Sequence, residues 1–382
     1  MTTTATEVSL LCDRKAMLDA FSLAASVAPS RSPKPILQCI KLEADPEAGS
    51  SLLASDLDVS LRVRVGGVKC DEPGAVILPT QRFGAILRST EDADISLAAS
   101  KDKLTVKTLR SKFTLSTEDP DLFPDVPSFE SASYLSIAAS DLRRLIRRAA
   151  FATDPESMRY ALGGCLVVLE ASGESMVFVG TDGRRLAKAT ALCRWEGQPT
   201  EIGQIVIPVK AMKLIDRVLA SADDDEPIHL AFVKNQAVLV RTPTATIHSR
   251  LVEGRYPRWQ DVFPAEHKVR VETEAGPLLR AVEQASIVTS DESRGVDFAF
   301  ADGVLKLASE SADAGQSDVE LPITYAGDPP TITFDCRYLV DALKTLDADA
   351  PVALDLIDGK AAMVLRVEPG FSYVLMPLTR ER

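Results

Sequence analysis

The chain has 382 residues, of which 46% are hydrophobic and 26% charged, and its formal net charge at pH 7 is −12. This balance is typical of a soluble globular protein, and the length predicts two or three domains rather than one core. The acidic excess excludes an openly basic nucleic-acid binder, but it does not exclude positive charge gathered on one inner surface.

Cysteine and histidine usage leaves little material for metal or triad chemistry. The six cysteines are scattered without a CxxC pair, which predicts reduced, mostly buried thiols. Only three histidines occur, and none has HExxH spacing, so we expect no metal site, no catalytic residues and no cofactor. The polar N-terminus shows no signal peptide, and no apolar run approaches the roughly 20 residues that cross a bilayer. We therefore expect a cytoplasmic protein with no membrane partner.

The first third of the chain contains four recognisable units. An amphipathic helix is predicted in DRKAMLDAFSLAASVA, and a strand entering a turn follows in LLASDLDVSLRVRV. A strand then runs into a short helix in GAVILPTQRFGAILRS, and the third closes with SKFTLSTEDPDLFPDV. The alternating KLTVKTL between them predicts a strand with one buried face.

The same four units recur twice in the same order. The second set is SDLRRLIRRAAFATD, MVFVGTDGRRLAKA, IGQIVIPVKAMKLIDRVLA and ATIHSRLVEGRYPRWQDVF. The third set is AGPLLRAVEQASIVTSDE, LKLASESADAGQSDVEL, PTITFDCRYLVDALKTL and FSYVLMPLTRER. The ends of the three strands before the short helix align at Pro79, Pro208 and Asp335, which lie 129 and 127 positions apart. This long period predicts three similar α+β domains, residues 1–128, 129–257 and 258–382, each with two helices and antiparallel sheets.

The turn FVGTDGRRLAKA resembles a phosphate-binding loop at first sight. It occupies the place of ASDLDVSLRV in the first third, so we interpret it as the middle copy of a structural turn. The competing hypothesis is a phosphate- or nucleotide-handling enzyme. That enzyme would need a lysine-bearing glycine-rich loop or a carboxylate metal cluster at the turn, and neither is present in the sequence there.

Positive charge collects on predicted helices. In the helix 140–151, Ser140 is a good N-cap, and one apolar stripe holds Leu142, Leu145, Ile146 and Ala149. The opposite face carries Arg143, Arg144, Arg147 and Arg148. The bias recurs in the short helices of all three thirds, at Arg82 and Arg88, Lys210, Lys213 and Arg217, and Arg337 and Lys344. One interpretation is a solvated helix face; the other is a surface that follows phosphates without reading sequence.

Seven segments in order carry a resemblance that spans nearly the whole chain. They are KPILQCIKLEA, ASDLDVSLRVRV, SKFTLST, MRYALGG, TDGRRLA, SRLVEGRYP and YVLMPL. With these segments the chain resembles the beta subunit of bacterial DNA polymerase III, the replicative sliding-clamp family. The resemblance implies a non-catalytic accessory subunit with the DNA clamp fold of three similar domains. It also implies a homodimer, closed head to tail as a ring around double-stranded DNA, that confers processivity on the replicative polymerase.

The resemblance also implies an interface between chains. The dimer seam would join Phe113 and Leu115 of the first domain to Ile287 and Val288 of the third. By pattern alone, Phe113 and Leu115 lie on an alternating strand that has the character of a sheet edge. Ile287 and Val288 end a helix, and either pair reads equally well as core.

Partner proteins would bind a pocket between the second and third domains. The implied partners are the DNA polymerase III alpha subunit, the clamp loader, and other polymerases and repair proteins that carry clamp-binding peptides. Carried over position by position, the pocket comprises Leu162, Thr181, Gly183, Arg184, Arg185, Leu186, Pro257, Val262, Tyr338, Met376, Pro377 and Leu378. An apolar cleft would take apolar side chains, while Arg185 and Tyr338 would fix polar groups of the peptide. The chain departs from the family pattern at two pocket positions, Ser293 and Asp335.

DNA contacts are implied for a further set of residues. The resemblance points to Arg31, Gln81, Arg82, Tyr160 and Lys210, and charge alone adds Arg144 and Arg148. Glu156 and Ala161 stand where the family can place a polar or aromatic residue facing DNA, so a local grip on DNA is not expected there. These departures leave one alternative open, a paralogous clamp-fold scaffold with a role outside replication.

Overall fold

The computed structural model describes residues 8–378 except 101, 158–159, 171–172, 200–203, 234–235, 291–292, 302 and 326–330. Its elements repeat three times in the order that the sequence predicts. Each third has two α-helices, and the described strands number nine, nine and eight. The fold is therefore α+β with antiparallel sheets and six helices in this part of the chain, as expected.

The bounds of the elements follow in chain order. The first third contains β1 (Val8–Asp13), α1 (Arg14–Ala25), β2 (Cys39–Ala44), β3 (Ser50–Ser55), β4 (Val59–Val65), β5 (Val68–Cys70), β6 (Gly74–Pro79), α2 (Thr80–Ser89), β7 (Asp94–Ser100), β8 (Lys103–Lys107) and β9 (Lys112–Ser116). The second contains β10 (Tyr134–Ala138), α3 (Ala139–Ala150), β11 (Gly164–Leu169), β12 (Ser175–Thr181), β13 (Arg185–Leu192), β14 (Arg194–Glu196), β15 (Ile205–Pro208), α4 (Val209–Val218), β16 (Pro227–Val233), β17 (Ala237–Arg241) and β18 (Ala245–Arg250). The last contains β19 (Val269–Glu274), α5 (Ala275–Ala285), β20 (Gly295–Ala301), β21 (Val304–Ser311), β22 (Gly315–Pro322), β23 (Thr331–Asp335), α6 (Cys336–Leu343), β24 (Pro351–Leu356), β25 (Met363–Val367) and β26 (Phe371–Leu375).

The predicted strand-to-helix unit is present in all three thirds. Strands β6, β15 and β23 end at Pro79, Pro208 and Asp335, and a helix begins at the next residue in each case. Asp335 caps α6 by accepting a hydrogen bond from the backbone N–H of Arg337 at 3.2 Å. Pro79 has φ −62°, which suits the residue before a helix, but it offers no side-chain cap.

Helix α3 differs slightly from its prediction. The apolar stripe of Leu142, Leu145, Ile146 and Ala149 is buried as expected. The predicted cap Ser140 is wrong by two positions, because α3 begins at Ala139 and Ser140 lies in its first turn. Strand β10 runs directly into the helix, so no extended residue separates the two elements at Ser140.

Contacts along the backbone divide the chain into two compact units. The first unit is Met1–Ala139, Trp195–Ile202 and Lys210–Leu251, and the second is Ser140–Arg194, Gly203–Val209 and Val252–Arg382. Strand pairing explains why there are two units rather than three. In the first unit, β18 of the middle third pairs with β4; in the second, β13 of the middle third pairs with β26. The middle third therefore contributes strands to both units, and the predicted boundaries near 128 and 257 stay a prediction.

Two sheets lie in each unit. The first unit has a nine-stranded sheet, β14-β10-β16-β17-β18-β4-β3-β2-β6, and a five-stranded sheet, β5-β1-β7-β8-β9. The second has an eight-stranded sheet, β15-β11-β12-β13-β26-β25-β24-β19, and a four-stranded sheet, β22-β21-β20-β23. All described pairings between these strands are antiparallel. Among the described residues, the two edge strands of each small sheet pair with another strand on one side only.

Aromatic pairs stabilise the packing inside each unit. Phe21 of α1 and Phe83 of α2 meet edge to face with ring centroids 5.2 Å apart, and both side chains are fully buried. In the second unit, Phe298 and Phe334 make the same kind of contact at 5.4 Å. Such pairs contribute about 1 kcal/mol beyond the burial of their area. No helix in the described ranges is long and apolar enough to cross a membrane.

Candidate functional site

The GTDGRR turn is closed by hydrogen bonds from its own side chains. Asp182 accepts from the backbone N–H groups of Arg184 at 2.9 Å and Arg185 at 3.0 Å. Thr181 accepts from the N–H of Gly183 at 3.1 Å and donates its hydroxyl to the carbonyl of Arg185 at 2.6 Å. The backbone N–H groups of Arg184 and Arg185 already donate to the Asp182 carboxylate, so they are not free to bind a phosphate. The turn therefore offers no binding site for the nucleotide-handling enzyme of the competing hypothesis.

Glycine is favoured at the third position of this turn. Gly183 has φ +90°, a left-handed conformation that side chains with a Cβ rarely adopt. A Cβ built at Gly183 meets nothing within 4 Å, so the space beside its backbone is open. The backbone of Gly183, in the turn between β12 and β13, is therefore not covered by a side chain of its own.

A cavity of about 220 Å³ lies beside this turn within the second unit. It is lined by Leu162, Thr181, Gly183, Arg184, Arg185, Leu186, Pro257, Trp259, Val262, Val374 and Met376. The structure therefore brings most of the predicted pocket residues together around one space. Among them, Leu162 and Leu186 are buried, whereas Val262 and Met376 are exposed by 39% and 45%. A buried floor and an adaptable exposed rim suit an apolar ligand side chain.

Three predicted pocket residues lie outside this lining. Tyr338 packs its ring against the guanidinium of Arg185, 4.6 Å from ring centroid to Cζ. Leu378 continues the chain after β26 and donates its N–H to the carbonyl of Thr333 at 2.8 Å. Pro377 precedes it and is partly exposed. These three residues lie near the residues that line the cavity, but they are not part of the lining themselves.

The two family departures have structural roles away from the cavity lining. Asp335 is buried, and in addition to its capping role it binds the Arg337 guanidinium through contacts of 3.0 and 2.7 Å. Ser293 lies in the loop after α5 and donates its hydroxyl to the carbonyl of Glu310 at 2.7 Å. Neither side chain is among the residues that line the cavity.

The sequence did not single out Trp259 or Val374, which both line the cavity. Trp259 begins a short 3₁₀ helix, Trp259–Val262, and meets Phe263 edge to face at 6.2 Å. The ammonium group of Lys188 lies 5.7 Å from the centre of the indole ring. The available signal was a tryptophan two residues after Pro257 in a predicted junction, where burial of an aromatic ring is unexpected. Val374 is hidden in an ordinary apolar strand and gives no such signal.

The guanidinium of Arg185 makes several hydrogen bonds within this chain. Its guanidinium donates to Asp182 at 2.9 Å, to Asp341 at 2.7 Å and to the carbonyl of Phe151 at 2.9 Å. Only 9% of its side chain is exposed. Although burial opposes the charge, the hydrogen bond to Asp341 and nearby charges raise the pKa of Arg185. The expected contact between Arg185 and a peptide therefore competes with three internal partners.

The predicted DNA residues of the first third are accessible. Gln81 and Arg82 are exposed in the first turn of α2, and Arg31 is exposed in the loop after α1. Gln81 and Arg82 also line a cavity of about 580 Å³ in the first unit, together with residues at the end of α1 such as Ala28. Positive and polar groups at this edge of α2 can meet phosphate oxygens.

Lys210 is exposed by 55% but already has a partner, because its ammonium group is paired with the Asp56 carboxylate. Together with Lys213 and Arg217, it lines a small cavity of about 140 Å³ in the first unit. One face of α4 thus gathers three positive charges, and one of them is partly neutralised by an acidic residue of the chain itself.

Arg144 and Arg148 of α3, which were predicted to contact DNA from their charge alone, have different surroundings. Arg144 is exposed and paired with Asp141 one turn earlier. Arg148 is only partly exposed, and its guanidinium lies over the Phe371 ring at 5.4 Å. Burial, followed by the nearby charge of Arg144, lowers the pKa of Arg148. Arg148 therefore packs its planar group against an aromatic ring, and its predicted contact with DNA stays a prediction.

The remaining positions predicted near DNA are of three kinds. Glu156 is exposed in a turn, where its N–H bonds to Asp154 at 3.2 Å. Ala161 is buried among the hydrophobic residues around Tyr256, so it faces no solvent. The side chain of Tyr160 lies outside the described residues.

The predicted seam residues occupy different settings. Phe113 and Leu115 lie on the edge strand β9, where they are partly exposed and pair with Val106 and Leu104 of β8. Ile287 is exposed by 76% just after α5, and Val288 is partly exposed beside it. An edge strand with apolar side chains and an exposed isoleucine are features of a surface that another chain covers.

Metal and thiol chemistry have no site in the described ranges. No group of three or more histidine, cysteine or acidic side chains there is arranged to hold a metal ion. All six cysteines are free and five are buried. Burial raises the pKa of Cys39 and Cys193 to about 11, so these thiols are poor nucleophiles near neutral pH.

Comparisons with known proteins all give the same family, and their matches cover nearly the whole chain. Family models for the N-terminal, central and C-terminal domains of the DNA polymerase III beta subunit match residues 8–127, 136–258 and 260–379. The beta sliding clamp of Pseudomonas aeruginosa is 30% identical over 367 residues, covering 96% of this chain and 98% of that protein. The beta sliding clamp of Caulobacter vibrioides is 30% identical over 378 residues, covering 97% and 100%. The structure of the P. aeruginosa sliding clamp bound to griselimycin has a TM-score of 0.88 at 28% identity, covering 98% of this chain and 100% of that one.

Proposed function

This chain belongs to the DNA polymerase III beta-subunit family, the sliding clamps, and from that premise we propose that it encircles duplex DNA and holds the replicative polymerase on its template. The observation that carries the proposal is the match of three successive clamp domains, in order, over almost the entire length. In this role the chain performs no reaction of its own. It is an accessory subunit that works by topology and by binding.

The ring is proposed to contain two copies of the chain joined head to tail. The strand β9 with Phe113 and Leu115 would meet the exposed Ile287 and Val288 of the second copy. Such a heterologous contact uses two different surfaces and closes only when the rotation between copies is right. The support within one chain is that both surfaces expose apolar side chains that a monomer would leave in water.

Polymerases and the clamp loader are proposed to bind through short peptides in the 220 Å³ cavity. The cavity is apolar at its floor, and a micromolar affinity of about −8 kcal/mol suits partners that must exchange on one clamp. The DNA polymerase III alpha subunit, the clamp loader, and other polymerases and repair proteins with such peptides are the proposed partners. These partners would place the chain with the chromosome, and the cytoplasmic location stays a prediction.

DNA is proposed to be held loosely and without sequence preference. Arg31, Gln81, Arg82 and Lys210 offer exposed polar or positive groups to phosphates. Contacts with phosphates position a protein on DNA without carrying sequence information. A ring does not need stronger contacts with DNA, because a closed ring around the duplex cannot dissociate from it except at a DNA end.

The decisive experiment compares retention on two DNA topologies. The protein is loaded with a clamp loader onto a nicked circular plasmid and washed in high salt, and half of the sample is then linearised. We expect retention on circles and rapid loss from linear DNA, because a ring can slide off only at an end. Equal loss from both forms would contradict the encircling ring and leave only electrostatic binding. A Phe113→Asp variant is the control for ring closure, and it should be lost from both forms.

A further inference from the structure

The cavity of about 580 Å³ in the first unit lies at the beginning of α2 and is separate from the proposed peptide site. Its volume is within the range of sites that bind small molecules. The residues that line it lie within the segments 25–30, 35–39, 79–82 and 116–118. All four segments belong to the first third, so one copy of the chain forms the whole cavity.

Part of the cavity wall is rigid and apolar. Pro29, Pro35 and Pro79 line it together with Ala25 and Ala28. Covering alanine or proline costs almost no side-chain entropy. A rigid, flat ring therefore gains most from this wall, because neither the ring nor the wall loses conformational freedom on binding.

Two opposite charges line the same cavity without pairing. Arg82 and Glu118 are both exposed, and in the part of the chain that the structure describes neither makes a hydrogen bond or an ion pair. The Glu118 carboxylate is near the wall, since burial and then the charge of Glu118 raise the pKa of the Cys39 thiol to about 11. The cavity thus offers one ligand both a cation and a carboxylate that accepts hydrogen bonds.

The Thr80 hydroxyl lines this cavity, is buried, and has no hydrogen-bond partner among the described residues. Other polar groups of the lining are engaged by the protein. Thr117 donates its hydroxyl to the carbonyl of Ile77 at 2.6 Å. Gln38 donates its amide to the carbonyl of Ser32 at 3.3 Å. Buried hydroxyls are nearly always hydrogen-bonded, so the Thr80 hydroxyl is a candidate contact for a ligand. It also lies at the first residue of α2, which has no side-chain cap.

We propose that this cavity binds a guanine nucleotide, with its phosphate at Arg82 and Thr80 and its base against the proline wall, where Glu118 accepts hydrogen bonds from the base. Guanine fits because its N1–H and its amino group lie side by side, and one carboxylate accepts both. Adenine presents an acceptor beside its amino group and would repel one carboxylate oxygen. A free nucleotide and an unpaired guanine at the end of a DNA strand share this chemistry. The inference goes beyond the clamp role and does not require a ring.

The test is equilibrium dialysis of the full chain with dGMP, dAMP, deoxyguanosine and inorganic phosphate. We expect dGMP to bind about tenfold more tightly than dAMP, because the carboxylate distinguishes the two base edges. Deoxyguanosine and inorganic phosphate should each bind more weakly than dGMP, since each lacks one half of the ligand. Equal binding of dGMP and dAMP, or of dGMP and inorganic phosphate, would overturn the proposal.

Two variants assign the two charges. Glu118→Gln should remove the preference for dGMP over dAMP. Arg82→Gln should weaken dGMP binding about threefold to tenfold and leave deoxyguanosine binding unchanged. The controls Glu91→Gln and Arg88→Gln remove exposed charges of the first third that do not line the cavity, and they should bind like the unmodified chain. An unchanged preference for dGMP in Glu118→Gln would overturn the recognition of guanine by this carboxylate.

Thr80→Val distinguishes a ligand contact from a structural role. Because the hydroxyl has no partner within the protein, its removal should not lower the Tm, whereas dGMP binding should weaken about threefold to tenfold. A lower Tm with unchanged dGMP binding would overturn the placement of the phosphate at Thr80.

Two further measurements identify the source of the nucleotide and separate this site from the ring. Displacement of labelled dGMP by a duplex with one unpaired 3′-terminal dG, but not by the same duplex ending in dA, would assign the site to DNA ends. Displacement by neither duplex would assign it to the free nucleotide. The ring-closure variant Phe113→Asp should bind dGMP like the unmodified chain, because one chain forms the cavity. Binding by Phe113→Asp alone would mean that a second copy covers the cavity, and it would overturn the proposal while leaving the ring intact.

Discussion

The turn at residues 55–59 and the turn at residues 181–185 have the same backbone design but different uses. In the first turn, Leu57 donates its N–H to the Ser55 hydroxyl at 3.1 Å, and Asp56 accepts from the N–H groups of Asp58 at 3.1 Å and Val59 at 2.7 Å. The second turn has the corresponding bonds at corresponding positions. Both turns place their third residue in the left-handed region. The hydrogen-bonded frame is therefore a property of the repeat and not of the binding site.

The surroundings of the two turns also correspond. The backbone carbonyl of Asp58 accepts from the N–H of Arg250 at 2.8 Å, and the backbone carbonyl of Arg184 accepts from the N–H of Met376 at 3.0 Å. Arg250 thus stands in the first unit where Met376 stands in the second. A long polar side chain takes the place of an apolar one that lines the cavity. The same backbone bonds support different chemistry because they do not involve those side chains.

One residue difference within the turn and one difference in the ion pair of its aspartate complete the contrast. The second turn has Gly183 beside open space, whereas the first has Leu57, which is 46% exposed and has φ +80°. The aspartate of each turn also recruits a cation, Lys210 for Asp56 and Arg185 for Asp182. A repeated frame thus borders an apolar cavity in one unit and holds an exposed lysine in the other.

The largest expected effect follows from removing the cation of the second turn. Arg185→Ala leaves Asp182, Asp341 and the Phe151 carbonyl without their donor, and we expect the free energy of unfolding to fall by about 2–3 kcal/mol. Peptide affinity should fall at least about tenfold, because Tyr338 loses the group that holds its ring. Urea unfolding and fluorescence polarisation with a selected peptide measure the two effects.

Its matched control is Val59→Ala at the corresponding position of the first turn. We expect a smaller loss of about 1–2 kcal/mol from the methyl groups removed, with no change in peptide affinity. Equal effects of both variants on peptide binding would show that the two turns do not have separate uses.

A transplant of the first turn into the second tests the role of the open space. Gly183→Leu forces a leucine into the left-handed region at a cost of about 1–2 kcal/mol and fills the side of the cavity. We expect peptide binding to be lost while retention on circular DNA is kept, as measured by polarisation and by the plasmid assay. A Gly183→Leu protein that still binds peptide would place the ligand elsewhere in the cavity.

The pairing of Asp56 with Lys210 predicts opposite changes in DNA binding. Asp56→Asn frees the ammonium group, so affinity for a short linear duplex should rise about threefold with a steeper salt dependence. Lys210→Glu should weaken binding about tenfold and reduce the slope of log affinity against log salt by about one, and Arg82→Glu should act likewise. Anisotropy titrations at several salt concentrations measure these slopes. Unchanged slopes for both reversals would remove Lys210 and Arg82 from the DNA surface.

The smallest effect is expected from the strained leucine. Leu57→Gly removes a left-handed penalty of about 1–2 kcal/mol but adds about 0.5–1 kcal/mol of chain entropy in the unfolded state. We expect a net stabilisation of at most about 1 kcal/mol, seen as a small rise in Tm, with peptide binding unchanged. A clear destabilisation would mean that the partly exposed Leu57 side chain contributes packing that offsets its strain.

The sequence alone determined the repeated elements and their order. Apolar spacing and strand alternation are local patterns, so they predicted the helices and the strand-to-helix units ending at Pro79, Pro208 and Asp335. Much of the cavity lining was also expected, but from the family resemblance, which carried over Thr181, Gly183 and Arg184 as one contiguous motif. Helix boundaries were less certain, as Ser140 shows, because a cap depends on where the preceding strand ends.

Only the tertiary structure decided which side chains meet across long distances in the chain. The pairing of β13 with β26 brings Val374 and Met376 to the turn at residues 181–185. No local pattern in either segment predicts that pairing. The same holds for Arg185 with Asp341, which are 156 positions apart, and for Lys210 with Asp56, which are 154 apart. A charged residue in a sequence has many possible partners, and packing selects one of them. That choice paired Arg185 with two carboxylates and left Arg184, one residue earlier, exposed.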